Sequence, residues 1–345
     1  MVVRVGINGF GRIGRNFVRS ALDQAKRRPD ADEVVVVGVN DIVPASTNAH
    51  LLKYDSTQGT LDEAVAHTES TISVGGMTIN VYSERDPKAL PWGDLGVDVV
   101  VESTGKFTDR EKAAAHIEAG APRVIVSAPA KNADATFVVG VNDDTFEAES
   151  HVVVSNASCT TNCFVPMVKV LDDAFGVEKG LMSTVHAYTN DQNLLDLAHR
   201  DLRRARAAAV NIVPASTGAA RATSLVLESM KGRLDGSALR VPVANGSITD
   251  FTAILARDVT VEEINEAFRA AATSGPLSGG VLVYTDEPIV SSDIVGSSAS
   301  CTFDSLLSMA MGSLVKVFGW YDNEWGYSHR LVDLARTIGA ANRSA

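Results

Sequence analysis

The stretch "VVRVGINGFGRIGRNFVRSALDQA", residues 2–25, decides the fold. An apolar, β-branched run, "VVRVGI", leads straight into Gly9, Gly11 and Gly14 at G-x-G-x-x-G spacing, and a helix-like segment follows. Between a strand and a helix, such glycines permit a tight turn, let the backbone approach a pyrophosphate and let the helix pack on the strand. The helix N-terminus adds amide hydrogens and the positive end of its dipole. The strand before and the helix after turn a common spacing into a candidate dinucleotide site.

Working outward, apolar runs alternate with helix-like segments: "EVVVVGVN", "VDVVVEST", "EKAAAHIEAG", "RVIVSAP", "TFVVGVN" and "HVVVSN". Near-continuous Val and Ile read as strands buried on both faces, hence a parallel sheet covered by helices. Thr108 with Glu111 reads as a capping box opening the helix after "ESTGKF". Up to about residue 155 the pattern is that of a doubly wound α/β domain. Its second strand ends in "VGVNDI", which places Asp41 either on an adenosine ribose or in a strand-end turn.

Past Ser158 the texture changes. An apolar-periodic stretch from Cys159 to Phe175 reads as a helix closed by Gly176, with Pro166 predicted to kink it. The segments "LMSTVHAY", "LRVPVA", "SITDFTAILA" and "SLVKVFGWY" alternate as strands of a mixed or antiparallel sheet do. A second capping box, Thr260 with Glu263, opens another helix, and a final helix around "YSHRLVDLARTIG" is expected to return to the first domain.

Composition bounds the function. The 345 residues suit two domains. With 31 Lys and Arg against 42 Asp and Glu, the net charge of -11 opposes non-specific nucleic-acid or anionic-membrane binding. The N-terminal apolar run is too short for a signal peptide, and no run of about 18 apolar residues suggests a membrane span, so a cytoplasmic protein is expected. Three cysteines make no disulfide framework, and C-x-x-x-C has neither the zinc nor the redox spacing. No metal is expected.

Two of those cysteines stand in "SNASCTTNC", Ser155 to Cys163. Ser158 is a plausible N-cap, and Cys159 in the first helical turn would have its thiol pKa lowered by the dipole and amides, as a nucleophile needs. The bland reading is a core cysteine, and that reading suits Cys163. Of seven histidines, His186 in "STVHAYTND" ends a strand among polar residues, as a general base or a structural histidine; His50, His67, His116, His151, His199 and His329 stand in unremarkable contexts. "HRDLRRAR" gathers Arg200, Arg203, Arg204 and Arg206, either a solvated helix face or subunit contact, or an anion pocket to which "ASTG" (residues 215–218) and Arg240 would add donors.

At these residues the sequence resembles phosphorylating glyceraldehyde-3-phosphate dehydrogenases over nearly its whole length: "INGFGRIGR", "ND", "KYDS", "ESTG", "SAP", "SNASCTTNC", "HAYTNDQNLLD", "DLRRARAAA", "ASTGAA", "RVPV" and "WYDNEWGYS" occur in order. The resemblance implies an α/β fold: a Rossmann-type NAD-binding domain over residues 1–157, completed by a C-terminal helix over 323–345, and an α+β catalytic domain over 158–322 with a mostly antiparallel or mixed sheet. It implies Cys159 as nucleophile and His186 as base. Ser158, Thr160, Arg204, Thr217 and Gly218 would bind inorganic phosphate, and Thr189 with Arg240 the phosphate of glyceraldehyde 3-phosphate. Gly11, Arg12 and Ile13 would lie along NAD, Asp41 on its adenosine ribose, Thr104 and Ser127 near it, and Asn323 on the nicotinamide carboxamide.

The resemblance further implies a homotetramer, with "HRDLRRAR" in a loop near a subunit interface and the cofactor. Ala198 stands where common NAD-using members have Pro, a position that differs in members also accepting NADP; Asp41 opposes a 2′-phosphate, so NAD preference with some NADP use is expected. The alternatives are an erythrose-4-phosphate dehydrogenase, an NAD-binding redox sensor in which Cys159 is an oxidation switch, and, least suited to the glycine loop, a cysteine hydrolase.

Overall fold

The computed structural model describes residues 2–341, so residues 342–345 of the expected last helix lie outside the described residues. The chain divides into two compact units. One runs through Phe137 and takes in Asn142–Ala157 and the chain from Ser328 on; the other holds Val138–Val141 and Ser158–Tyr327.

In the first unit, strand Val2–Asn8 lies between two parallel neighbours, Glu33–Asn40 on one side and Val99–Glu102 on the other. Beyond Val99–Glu102 come Val124–Val126, Val153–Ser155 and Ala135–Thr136, and beyond Glu33–Asn40 comes Met77–Tyr82, all in parallel. Two short antiparallel strands, Thr71–Val74 and Val65–His67, close that edge, giving nine strands among the described residues. The chain leaves the first strand with neighbours reached in opposite directions, the switch point at which ligands bind outside the strand ends of open α/β sheets. Val99, Val100 and Val101 are all fully buried, as a strand covered on both faces requires. The last helix, Trp325–Ala341, contributes its residues from Ser328 on to this unit; Gln24 Nε2 donates to the His329 carbonyl at 3.2 Å.

Two local expectations change here. Of "TFVVGVN" only Thr136 is in a strand, the two-residue Ala135–Thr136, and the chain leaves the sheet at Phe137. Thr108 is not the cap of its helix: its carbonyl accepts Lys131 N–H at 2.9 Å in an extended segment. Asp109 caps instead, accepting Glu111 N–H at 3.1 Å, and two four-residue turns follow, Arg110–Ala113 and Ala115–Glu118.

The second unit is a mixed sheet of eight strands among the described residues. Its centre is Val177–Ala187, parallel to Leu234–Val241 and antiparallel to Ser247–Leu255, which pairs in turn with Leu314–Tyr321. Helix Cys159–Phe175 packs on this sheet, with Phe164 edge-on to Phe251 at 4.8 Å between ring centroids. It ends at Gly176 with φ +72, a conformation glycine adopts without cost. The helix is continuous through Pro166. The expected capping box forms: Thr260 Oγ1 accepts Glu263 N–H, and the Glu263 carboxylate accepts Thr260 N–H. "HRDLRRAR" is not a helix face but irregular chain with short turns.

Candidate active site

Cys159 is the first residue of its helix. Ser158 caps it, Oγ accepting Thr161 N–H at 3.1 Å. His186 is the penultimate residue of strand Val177–Ala187, and the parallel register sets Arg240 directly opposite it. Helix start and strand end together place Cys159 Sγ 3.4 Å from His186 Nε2.

His186 Nδ1 lies 2.7 Å from the Ala187 carbonyl, which only accepts, so Nδ1 carries the ring hydrogen and Nε2 faces the sulfur as an acceptor. Arg240 Nη1 donates to the same carbonyl at 3.2 Å and to Thr189 Oγ1 at 3.3 Å, and stands 3.0 Å from Nδ1. Burial, reinforced by the Arg240 charge, brings the His186 pKa down to about 3, so the ring is a neutral base at neutral pH. The Cys159 thiol departs from the sequence expectation. Burial pushes its pKa up and outweighs the nearby Arg240 charge and the backbone N–H groups of the helix start. The resting arrangement is therefore a thiol aimed at a neutral imidazole.

Tyr321 escaped the sequence reading as a site residue, although it stands in "WYDNEWGYS". Buried beside His186, it bridges two hydroxyls, with its OH 2.9 Å from Thr160 Oγ1 and 2.7 Å from Thr184 Oγ1. Thr160, expected at the inorganic phosphate, thus has its hydroxyl engaged in the interior. Cys163 is fully buried, as a small hydrophobe.

The remaining phosphate candidates fall in two groups. Thr189 and Arg240 meet directly. Arg204 is held by Asp191 and by Asp201, the latter at 3.3 Å, and donates to the Ser216 carbonyl at 3.3 Å, next to Thr217 and Gly218. Thr217 Oγ1 accepts Ala219 N–H at 3.2 Å, and Gly218 is exposed at the start of the short helix Ala219–Ala222, which packs against the cysteine helix. Asn323 is buried, its Oδ1 accepting from Ser247 Oγ at 2.8 Å.

In the first unit a cavity of about 380 Å³ opens at the strand ends, lined by Gly11, Asp41, Thr104, Arg85 and Lys106 among others. A Cβ added to Gly11 would meet nothing within 4 Å and would project into free space, so glycine there leaves a cradle clear. Gly14 is required for packing, since a Cβ on it would come 2.3 Å from the Gly9 carbonyl oxygen. Asp41 is held in place as Oδ2 accepts Phe10 N–H at 2.8 Å. Arg12, Ile13 and Ser127 are outside the lining; Arg12 donates to Asp55 and Thr57. A glycine cradle, a fixed carboxylate and flanking hydroxyls suit a dinucleotide.

The two units thus define a class: an oxidoreductase with a Rossmann-type NAD-binding unit and a mixed-sheet unit that brings a cysteine and a histidine together. The comparisons with known proteins are specific. Residues 3–110 match the family pattern described as glyceraldehyde 3-phosphate dehydrogenase, NAD binding domain, and residues 158–323 its C-terminal domain. The chain is 58% identical over 340 residues to the glyceraldehyde-3-phosphate dehydrogenase of Streptomyces coelicolor, covering 98% of this chain and 99% of the relative. It is 57% identical over 341 residues to that of Geobacillus stearothermophilus, with 99% of each covered. The chain belongs to the glyceraldehyde-3-phosphate dehydrogenase family.

Proposed function

We propose that the protein oxidises and phosphorylates D-glyceraldehyde 3-phosphate to 1,3-bisphosphoglycerate through a thioester on Cys159. The observation that carries this is the 3.4 Å approach of Cys159 Sγ to a His186 Nε2 held as an acceptor. In this reading His186 takes the thiol proton as sulfur adds to the aldehyde, gives it to the alkoxide so formed to complete the hemithioacetal, and takes that hydroxyl proton back as the hemithioacetal is oxidised. NAD, when bound, supplies the hydride acceptor. Gly11, Arg12, Ile13, Asp41, Thr104, Ser127 and Asn323 are the residues proposed to hold it, with the first unit as the NAD-binding domain and the second as the catalytic one.

The thioester stays electrophilic, and inorganic phosphate attacks it, releasing the acyl phosphate and the Cys159 sulfur. Arg204, Ser158, Thr217 and Gly218, with the backbone N–H of Thr160, are proposed to hold that phosphate, and Thr189 with Arg240 the phosphate of the substrate. Arg240 supports this assignment because its guanidinium donates both to Thr189 and to the Ala187 carbonyl that holds His186 Nδ1–H. NAD is the preferred dinucleotide, with NADP secondary at most, because the Asp41 carboxylate repels a 2′-phosphate.

A cytoplasmic homotetramer is the proposed setting. No described helix is long and apolar enough to cross a membrane. Leu181, Leu194, Leu195, Leu197 and Leu202 are each at least two-thirds exposed, apolar surface that further copies of the chain would cover. Light scattering on the purified protein checks the assembly.

The test of function is the rate of NADH formation from glyceraldehyde 3-phosphate with and without inorganic phosphate, and with erythrose 4-phosphate in its place. Sustained turnover should require phosphate and favour the three-carbon sugar. Multiple turnovers indifferent to phosphate would mean that water resolves the thioester, and the phosphate assignment would fall.

A further inference from the structure

Behind the strand ends of the first unit lies a buried polar chain that the proposed chemistry does not use. Glu102 ends strand Val99–Glu102 and is 1% exposed, and His116, set aside as unremarkable in the sequence, is fully buried. Glu102 Oε2 accepts from Asn8 Nδ2 at 2.6 Å and lies 3.0 Å from His116 Nε2. The other ring nitrogen, Nδ1, faces Trp92 Nε1 at 3.0 Å. An indole N–H only donates, so Nδ1 is an acceptor, the ring hydrogen sits on Nε2, and Nε2–H donates to Glu102.

The second carboxylate oxygen turns toward the cavity. Oε1 accepts Thr104 N–H at 2.8 Å and also the Thr104 hydroxyl. Asn8 Oδ1 accepts from Asn40 Nδ2 at 2.7 Å, and Asn40 is fastened to the Glu84 backbone at 2.9 and 2.7 Å. One carboxylate thus ties together the ends of the strands that carry Gly9, Asp41 and Thr104. A buried acceptor of this kind is costly to leave short of a donor, so the arrangement is stiff.

The Thr104 proton is committed to Glu102, and Thr104 Oγ1 also accepts Lys106 N–H at 3.1 Å. What its oxygen can still present to the cavity is a lone pair. We propose that Glu102 is a positioning residue for NAD, acting through Thr104. It fixes that hydroxyl as an acceptor, so the group of the dinucleotide that meets Thr104 is a hydrogen-bond donor, a sugar hydroxyl or a carboxamide N–H, and not a phosphate oxygen. This rests on the NAD-binding reading above and adds to it the polarity of one contact and the residues that set it.

The test is titration of the purified full-length protein with NAD, followed by calorimetry, for the wild type, Glu102→Gln, Thr104→Val, Thr104→Ser and the double variant Glu102→Gln/Thr104→Val. Thr104→Ser should bind within about twofold of wild type, and Thr104→Val and Glu102→Gln each about tenfold more weakly. The double variant should be no weaker than the weaker single, within about twofold, because both changes break one path. Additive losses, about a hundredfold, would show that Glu102 acts by general loosening and overturn the proposal; so would wild-type affinity in Thr104→Val. If Glu102→Gln does not fold, the Thr104 pair decides together with the ¹⁵N spectrum of His116, in which Nδ1 must be the unprotonated nitrogen. A wild type that does not bind NAD overturns the NAD reading itself, and this inference with it.

Discussion

His186→Asn separates two roles that one ring performs. The Nδ1–H of His186 holds the Ala187 carbonyl at 2.7 Å, while Nε2 stands 3.4 Å from the thiol. An asparagine amide group falls at the position of Nδ1 and can keep the bond to the carbonyl, but nothing in it reaches the place of Nε2 or takes a proton. The substitution therefore removes the base and leaves the strand end intact. General-base catalysis is worth about 10² to 10⁴ in rate, or about 3–5 kcal/mol of barrier, and that loss should fall on the steps in which the thiol and then the hemithioacetal give up protons. Arg240 and Thr189 still meet, so the KM for glyceraldehyde 3-phosphate should move by less than about threefold, a split that marks a transition-state contact. The assay is rapid-mixing measurement of the first NADH formed per site. A deuterated aldehyde carbon reports whether oxidation has become rate-limiting, and the isotope effect should be larger in the variant. A burst within about tenfold of wild type would refute the assignment of His186 as base.

Three further outcomes follow from the same geometry. Gly11→Ala should leave the unfolding midpoint nearly unchanged but weaken NAD binding at least about tenfold, whereas Gly14→Ala, with its Cβ 2.3 Å from the Gly9 carbonyl oxygen, should cost the fold itself more than about 3 kcal/mol; chemical denaturation and NAD titration on both variants check this. Tyr321→Phe should cost about 1–2 kcal/mol in urea unfolding, because the Thr160 and Thr184 hydroxyls lose a buried partner; an unchanged midpoint would remove those hydrogen bonds from the account. For pH, the folded His186 titrates near 3 and the unfolded one near its ordinary 6.5, so between those values the unfolded chain takes up a proton that the folded one refuses. The stabilisation is complete above about pH 6.5 and is lost as pH falls, by at most about 1.4 kcal/mol per pH unit. Comparing urea midpoints from pH 7 to pH 5 isolates it, since His186→Asn should lose stability less steeply than wild type.

The sequence was legible where the physics is local. Gly14 answers to the Gly9 carbonyl oxygen five residues back, and the helix from Cys159 closes at Gly176 because its cap is a matter of one backbone angle. Thr260 with Glu263 is equally local and forms as read, while Thr108 was misread because a long-range partner, Lys131, draws its backbone into an extended pairing and leaves the cap to Asp109. What sequence spacing cannot supply is register. Nothing near His186 in the chain announces Arg240; the two meet because strands Val177–Ala187 and Leu234–Val241 align in parallel, which depends on the whole sheet. Glu102 and His116 were hidden for a related reason. A charge at the end of an apolar strand and a histidine in an alanine-rich segment look incidental until tertiary packing buries both, although a Glu closing "VVVE" is itself a signal that a buried acceptor needs donors.

The threonines of the two units show why residue type alone did not assign the sites. A hydroxyl has one proton and two lone pairs, and its use to a ligand depends on which of these the protein has already engaged. Thr104 gives its proton to Glu102 and so keeps an acceptor for the cavity. Thr160 shares its hydroxyl with Tyr321 in the interior, so an anion at the start of the cysteine helix draws on the backbone amides there more than on that side chain. Thr189, met by Arg240 Nη1, accepts from a cation and keeps its own proton, the polarity a phosphate oxygen needs. If this accounting is right, Thr189→Val should raise the KM for glyceraldehyde 3-phosphate about tenfold, while Thr160→Val should leave the KM for inorganic phosphate within about threefold and show its loss in stability. Reversal of that pattern in steady-state kinetics would mean that the Thr160 hydroxyl turns from Tyr321 to the anion during turnover, and that Tyr321 holds it only at rest.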